Sequence, residues 1–286
     1  MTNGYIFLGV DDVGKTQNIK CAYALSISLK LADPDCETCV VVHKFDHVPR
    51  RYESGFDYIV ELPYGRSDTS HHNMFIDFWQ LYHCTPFDES MIINTYSLAI
   101  DNIKSLWDMR DIDDIVFATA HNYRGDNIRN DKKFIAQDKN NIKAFNSGVI
   151  YFRKEQKSSE FFKMADPMFR SWREIYDRYL SEVKADDFDF TLMTNIVADS
   201  LHEQYAIADK FKYTDLEIDF LFDADKDQPF NWSESQNIWI TSDLNIKVNN
   251  YRLHGIFHYG DPEVITPNLI KQLDDDFSNT KNKTKA

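Results

Sequence analysis

No apolar run in the chain approaches the roughly 18 residues that a membrane-crossing helix needs. Its first residues, Met-Thr-Asn-Gly-Tyr, lack the basic and apolar regions of a secretory leader. These two absences predict a cytoplasmic protein with no membrane partner. Cysteine is scarce too: Cys21, Cys36, Cys39 and Cys84 are too few and too scattered for a disulfide framework in 286 residues. Cys36-x-x-Cys39 has half of a zinc spacing, but no second pair follows. Cys39 runs into Val40-Val41-Val42, so the pair reads as small packed hydrophobes. Basic charge is in deficit, 32 Lys+Arg against 46 Asp+Glu for a net charge of −14, which argues against a chain that coats nucleic acid. The deficit is uneven. Residues 121–180 hold 13 Lys+Arg and 8 Asp+Glu, which fits either a local basic face or a solvated pair of helices. There is no internal repeat.

What the chain does have is 43% hydrophobic and 14% aromatic residues, enough for one large α/β domain. Residues 1–270 are expected to form it, and the polar residues 271–286 to be a disordered tail. Tyr5 to Gly9 reads as a first strand. Ile19, Ala22, Tyr23, Ile27 and Leu31 then fall at helical spacing until Asp33-Pro34. Val40 to Val42 and Tyr58 to Leu62 read as further strands, and this alternation predicts a parallel sheet with right-handed crossovers. Met74 to Tyr82 reads as helix, Ile115 to Ala118 as strand, and Val149 to Phe152 as a strand after a Gly-containing loop. Helices are expected at Ser158 to Met164 and Phe169 to Leu180, with Pro167 breaking between them, and at Phe190 to Leu201.

The chain is organised around Asp88 to Asp108. Met91-Ile92-Ile93 is the kind of short apolar run that makes a strand buried on both faces, and it stops at Asn94-Thr95-Tyr96. In an open α/β sheet the ligand crevice lies at the carboxyl ends of strands, so a ligand is expected to meet these three residues. The segment resembles the donor-site strand of nucleotide-sugar glycosyltransferases of the GT-A fold, where apolar residues lead into Asp-x-Asp and then a Leu-Trp-Asp helix. It is most similar to glycosyltransferases of large tailed phages. Thr85-Pro86-Phe87-Asp88-Glu89-Ser90 and Leu106-Trp107-Asp108 carry the likeness, as does Ala22-Tyr23-Ala24-Leu25-Ser26-Ile27. The departure is that Asn94 and Tyr96 stand where the family has its two acids. In the family those acids hold a divalent metal, manganese or magnesium, on the donor diphosphate; an amide oxygen is a poor substitute and a phenol close to none.

The resemblance implies further roles. The end of the first strand holds the nucleoside, with Gly9 and Val10 offering backbone groups and Asp11 or Asp12 a carboxylate for uracil or ribose. Asn146-Ser147-Gly148 matches the turn that brings Gly and small polar side chains up to the sugar. In Asp186-Asp187-Phe188-Asp189, Asp189 is the preferred acid, either binding sugar hydroxyls or taking the acceptor's proton. The structural alternative for such an acid is a helix cap. His258, in His254-Gly-Ile-Phe-His-Tyr-Gly260, matches a histidine that reaches the metal or the diphosphate. Arg124 follows a strand and offers a cation to phosphate. Asp223-Ala-Asp225 spells the missing acidic motif but comes too late in the chain for it and reads as an exposed turn.

A rival reading sits at the front. Gly9-Val-Asp-Asp-Val-Gly14-Lys15-Thr16 matches the P-loop pattern between a strand and a helix, but two carboxylates would face the phosphate it must cradle. The expectation is therefore a GT-A enzyme that transfers a sugar from a UDP-sugar to a hydroxyl, with 5-hydroxymethylcytosine in DNA as the leading acceptor. The alternatives are a glycan or small-molecule acceptor, or a protein that only binds the nucleotide sugar.

Overall fold

A computed structural model describes residues 2–11, 15–65, 74–101, 103–120, 137–142, 145–181, 187–201, 205–208, 213–215, 238–240, 246–248 and 251–284. Strands β1 (Asn3–Leu8), β2 (Thr38–Val42), β3 (Tyr58–Glu61), β4 (Glu89–Ile93), β5 (Ser97–Ala99), β6 (Ile115–Ala118), β7 (Val149–Arg153) and β8 (Ala206–Ala208) come first along the chain. All but β5 join one seven-stranded sheet in the order β3-β2-β1-β4-β7-β6-β8. β4, the strand of the organising segment, is its middle member.

Side chains alternate across this sheet with the two-residue period of a strand. Tyr5, Phe7, Val40, Val42, Met91 and Ile93 enter one core. Ile6, Leu8, Cys39, Val41 and Ile92 enter the other. Both faces are covered, which is why the strands read as unbroken apolar runs. Helix α1 (Gln17–Ala32) and the helix Pro267–Thr284 close the first face. The helices Gln156–Arg170, Trp172–Tyr179 and Phe190–Ser200 close the second.

α1 is buried at every position from Cys21 to Lys30, so its polar residues must find partners inside. Ser26 Oγ donates to Gly55 O at 2.7 Å and lies 2.8 Å from Thr38 Oγ1. Ser28 Oγ accepts from Ala99 N at 3.0 Å. Lys30 Nζ lies 2.8 Å from Asp57 Oδ2. The serines that weaken an isolated helix here fasten α1 to its neighbours.

The sheet is mostly parallel, with one reversal. β1, β2, β3 and β4 pair in parallel, as do β6 and β8, but β7 is antiparallel to both β4 and β6. β7 therefore begins at the edge of the sheet where β4 and β6 end, so the turn before it lies beside the end of β4.

Beyond the main sheet, β9 (Tyr213–Asp215) and β13 (Ile256–His258) join β5 in the order β5-β13-β9. Strands β10 (Ile238–Ile240), β11 (Ile246–Val248) and β12 (Tyr251–Arg252) form a small antiparallel sheet. Through β13 the chain's last third returns to the edge of the core.

Two expectations need correction. The helix Gln156–Arg170 runs through Pro167 and stops only at Ser171. Pro167 sits in its last turn with its ring exposed, while Met168 and Phe169 beyond it are buried, so their burial carries the helix past the proline. The residues expected to form a disordered tail instead continue the helix Pro267–Thr284. Leu273 is fully buried there, and Tyr23 Oη donates to Asp274 Oδ1 at 2.5 Å. The sequence looked polar because the helix is amphipathic and shows only one face to the core.

The four cysteines are free. Burial pushes the thiols of Cys21, Cys36 and Cys84 up to about 12 and raises that of Cys39 as well. The thiolate is the reactive form, so all four should react with a disulfide reagent at pH 8 far more slowly in the native protein than in denaturant. Leu273→Ala should lower stability by about 2–5 kcal/mol in urea unfolding. A disordered tail would leave stability unchanged.

Candidate functional site

The carboxyl ends of β1 and β4 and the start of β7 meet at one edge of the sheet. Ile93 is in register with Val149, so Asn94 follows directly beside Gly148, and Asn94 N donates to Gly148 O at 2.8 Å. Thr95 is fully buried and its Oγ1 donates to Leu8 O at 2.5 Å, which pins the end of β4 to the end of β1. Asn94 Oδ1 accepts from Tyr96 N at 3.0 Å, the turn that Asn favours. Tyr96 Oη donates to Asn18 Oδ1 at 2.7 Å, and Asn18 Nδ2 donates to Val10 O at 2.6 Å. Tyr96 O accepts from Tyr259 N at 2.9 Å, which ties in the C-terminal extension.

Asp11 is 6% exposed, and both of its carboxylate oxygens accept from the first turn of α1, from Asn18 N at 2.9 Å and Ile19 N at 2.8 Å. Thr16, at the cap position itself, makes no side-chain cap bond. Asp11 thus satisfies the helix end that a bound phosphate would need, and its charge complements the helix dipole. The geometry opposes a P-loop here. A Cβ on Gly9 would come within 2.7 Å of Val40 Cγ2 and 3.0 Å of Ile19 Cδ1, so that glycine lets α1 pack close over β1 and β2.

The turn before β7 is equally constrained. Asn146 is 5% exposed and its Oδ1 accepts from Gly148 N at 2.7 Å. The buried Ser147 Oγ lies 2.9 Å from Thr191 Oγ1. Asn195, from the middle of the helix Phe190–Ser200, accepts from Phe145 N at 3.1 Å and donates to Phe145 O at 3.0 Å. Asp189 is the N-cap of that helix, its Oδ1 accepting from Leu192 N at 2.7 Å. Its cap role, the structural alternative weighed from the sequence, is therefore realised. His258 lies within β13, 4% exposed, with Nδ1 3.5 Å from Ser97 Oγ.

Val10, Asp11, Asn94, Thr95, Tyr96 and Gly148 are thus joined through hydrogen bonds at one sheet edge. Arg124, Asp12 and Asp223 to Asp225 lie outside the described residues, as does much of the basic stretch. Residues that were not foreseen complete the network: Asn18, Thr191, Asn195 and Tyr259. A polar residue in the first turn of a buried helix was the available signal for Asn18. An aromatic wall was also unforeseen. Phe75, half-buried, stacks on Phe190 with ring centroids 5.0 Å apart and meets Tyr96 edge-on at 6.1 Å. A cavity of about 320 Å³, lined by Gly4, Asp33, Glu37, Lys104, Trp107 and Arg110, opens at the opposite edge, where β1 begins.

The divalent metal that the sequence resemblance implies does not fit the described residues. Asn94 Oδ1 and Tyr96 Oη, in the places of the two acids, are each engaged in a protein hydrogen bond, and both Asp11 oxygens serve α1. Among the described residues no three His, Cys, Asp or Glu side chains converge as metal ligands would.

No protein-family model matches the sequence, and no curated protein matches it. Solved structures do. An active-site mutant of LgtC superimposes with a TM-score of 0.52 at 13% identity, covering 97% of this chain and 95% of that one. Mouse xyloside xylosyltransferase 1 superimposes with a TM-score of 0.54 at 11% identity, covering 91% of this chain and 98% of that one. At such identities the likeness establishes the fold, which is the GT-A fold of glycosyltransferases.

Tyr96→Phe removes the donor to Asn18 and should cost about 1 kcal/mol of stability in thermal or urea unfolding. If Tyr96 pointed to solvent, the change would be silent.

Proposed function

We propose that this protein is a glycosyltransferase that takes a sugar from a UDP-sugar and passes it to a hydroxyl. The observation that carries the reading is the convergence of three turns, Gly9 to Asp11, Asn94 to Tyr96 and Asn146 to Gly148, at the carboxyl edge of a GT-A sheet. That edge is where open α/β sheets hold ligands. The turns are fixed by hydrogen bonds from α1 and from the helix Phe190–Ser200, so the half-buried Asn94 and Tyr96 are held in place before a ligand arrives, which lowers the ordering cost of binding.

In this reading the nucleoside lies against Gly9, Val10 and the loop at Asp11 and Asp12, with Asn94, Thr95 and Tyr96 beneath the diphosphate. Asn146, Ser147 and Gly148 flank the sugar, and Phe75 beside Tyr96 offers an aromatic surface to it or to the acceptor. Asp189 is the candidate to accept the acceptor's proton, a role supported by the contact of Ser147 with Thr191 in the helix that Asp189 caps; Arg124 and His258 are candidates for the diphosphate. The departing diphosphate gathers charge as the sugar leaves, so groups already aimed at it act more strongly in the transition state than in the ground state.

The acceptor follows from the likeness to tailed-phage enzymes in the sequence: a hydroxymethylated cytosine in DNA. An enzyme acting there extrudes the base and meets the backbone with basic residues, for which the stretch at 121–180 is the candidate.

The test is mass spectrometry of nucleosides from hydroxymethylated DNA incubated with the protein and mixed UDP-sugars, alongside free-sugar release in the absence of DNA. Sugar on the cytosine is expected. Release or transfer to another hydroxyl with unmodified DNA would keep the transferase and discard the acceptor. UDP binding without any turnover would leave a binding protein. Asn146→Ala is expected to lower turnover by at least about tenfold, because it frees the Gly148 amide from the position in which the turn holds it.

A further inference from the structure

A nucleoside diphosphate at this edge brings negative charge into a chain whose own net charge is −14, and something must offset it. Hard divalent cations do so with six or more oxygen ligands, carboxylates prominent among them. The oxygens at the crevice are otherwise engaged. Asn94 Oδ1 holds the Tyr96 amide at 3.0 Å, and Tyr96 Oη gives its proton to Asn18 Oδ1 at 2.7 Å. Asp11, joined to Tyr96 through Asn18, spends both oxygens on the first turn of α1 at 2.8 and 2.9 Å. Turning that carboxylate to a cation would strip two backbone N–H groups beside a residue that is only 6% exposed. Such unpaired groups cost about 1–3 kcal/mol each. Asp189 Oδ1 is likewise held at the cap of its helix by Leu192 N at 2.7 Å.

We infer that the crevice binds the nucleoside diphosphate of a sugar donor without a divalent cation. Asn94 and Tyr96 serve as positioning residues: their bridge through Asn18 to Val10 O joins the end of β4 to the end of β1. Here side-chain hydrogen bonds join them directly, and the charge of the diphosphate falls to N–H donors and basic side chains of the loops. This inference rests on the nucleotide-sugar reading of the site, and its test separates the two.

The full chain is titrated calorimetrically with UDP, once in EDTA and once in excess manganese. Electron paramagnetic resonance follows the free manganese signal with protein alone and with protein plus UDP. The expected result is a Kd that agrees within about twofold between the two conditions. The protein should remove no manganese signal beyond what UDP removes by itself. Tightening by about tenfold or more in manganese, or stoichiometric loss of the manganese signal, would overturn the inference while leaving the donor reading intact. Absence of UDP binding in both conditions would overturn both. The double variant Asn94→Asp with Tyr96→Asp should acquire manganese-dependent tightening of about tenfold. If circular dichroism shows that it does not fold, the paired wild-type measurements decide alone.

Discussion

The structure depends on how the ends of β1 and β4 are held together. Two parallel strands share ladder bonds only along their length, and where the ladder stops the chain must find other partners for its polar groups. Here Thr95 reaches back to Leu8 O, and Tyr96 reaches through Asn18 to Val10 O. Asp11 fixes the following helix to the same point. Because the side chain of Asn18 makes the Tyr96 bridge and its backbone N–H is held by Asp11, strand, loop and helix are fastened through one shared residue. The bonds from Thr95 to Leu8 O and from Ile19 N to Asp11 are shielded from water, where a hydrogen bond is stronger and a broken one costs more.

From that joint the remainder of the edge follows. Asn94 faces Gly148 because β7 is antiparallel to both β4 and β6 and so begins where they end. The turn at Asn146 to Gly148 is then held by its own amide bond and by Asn195 and Thr191 from the helix Phe190–Ser200. The C-terminal extension adds β13 beside β5, so Tyr259 meets Tyr96 and His258 meets Ser97. Burial pushes the Tyr259 phenol far above its ordinary range, so it remains a neutral part of the packing. Segments more than 150 residues apart in the sequence thus border one crevice.

The same joint explains why two familiar readings of the sequence lose their force. The Gly-x4-Gly-Lys-Thr string satisfies a phosphate-loop pattern, yet a carboxylate from within the string already occupies the helix end. At the end of β4, the side chains that the resemblance would have as metal ligands, Asn94 and Tyr96, are instead engaged in protein hydrogen bonds. In both cases the residue type at one position, read with its partners, decides the chemistry.

The sequence by itself determined β1 to β4, β6 and β7, the place of α1 and the mostly parallel α/β class, because local periodicity and apolar runs are set by each segment alone. It also placed Asn94 to Tyr96 at a strand's carboxyl end, since a polar triplet after a buried strand marks one. Only the tertiary structure decided the reversal of β7, the passage of a helix through Pro167 and the docking of Leu273 and Asp274 against α1. Each depends on which distant surface a segment meets, and Leu273 reads as part of a polar tail until Tyr23 and the first core are beside it. The partners of Asp11, Tyr96 and Asp189 were likewise beyond the sequence. A carboxylate or phenol looks the same in the chain whether it faces a ligand or a helix end, and only the fold says which donor lies within reach.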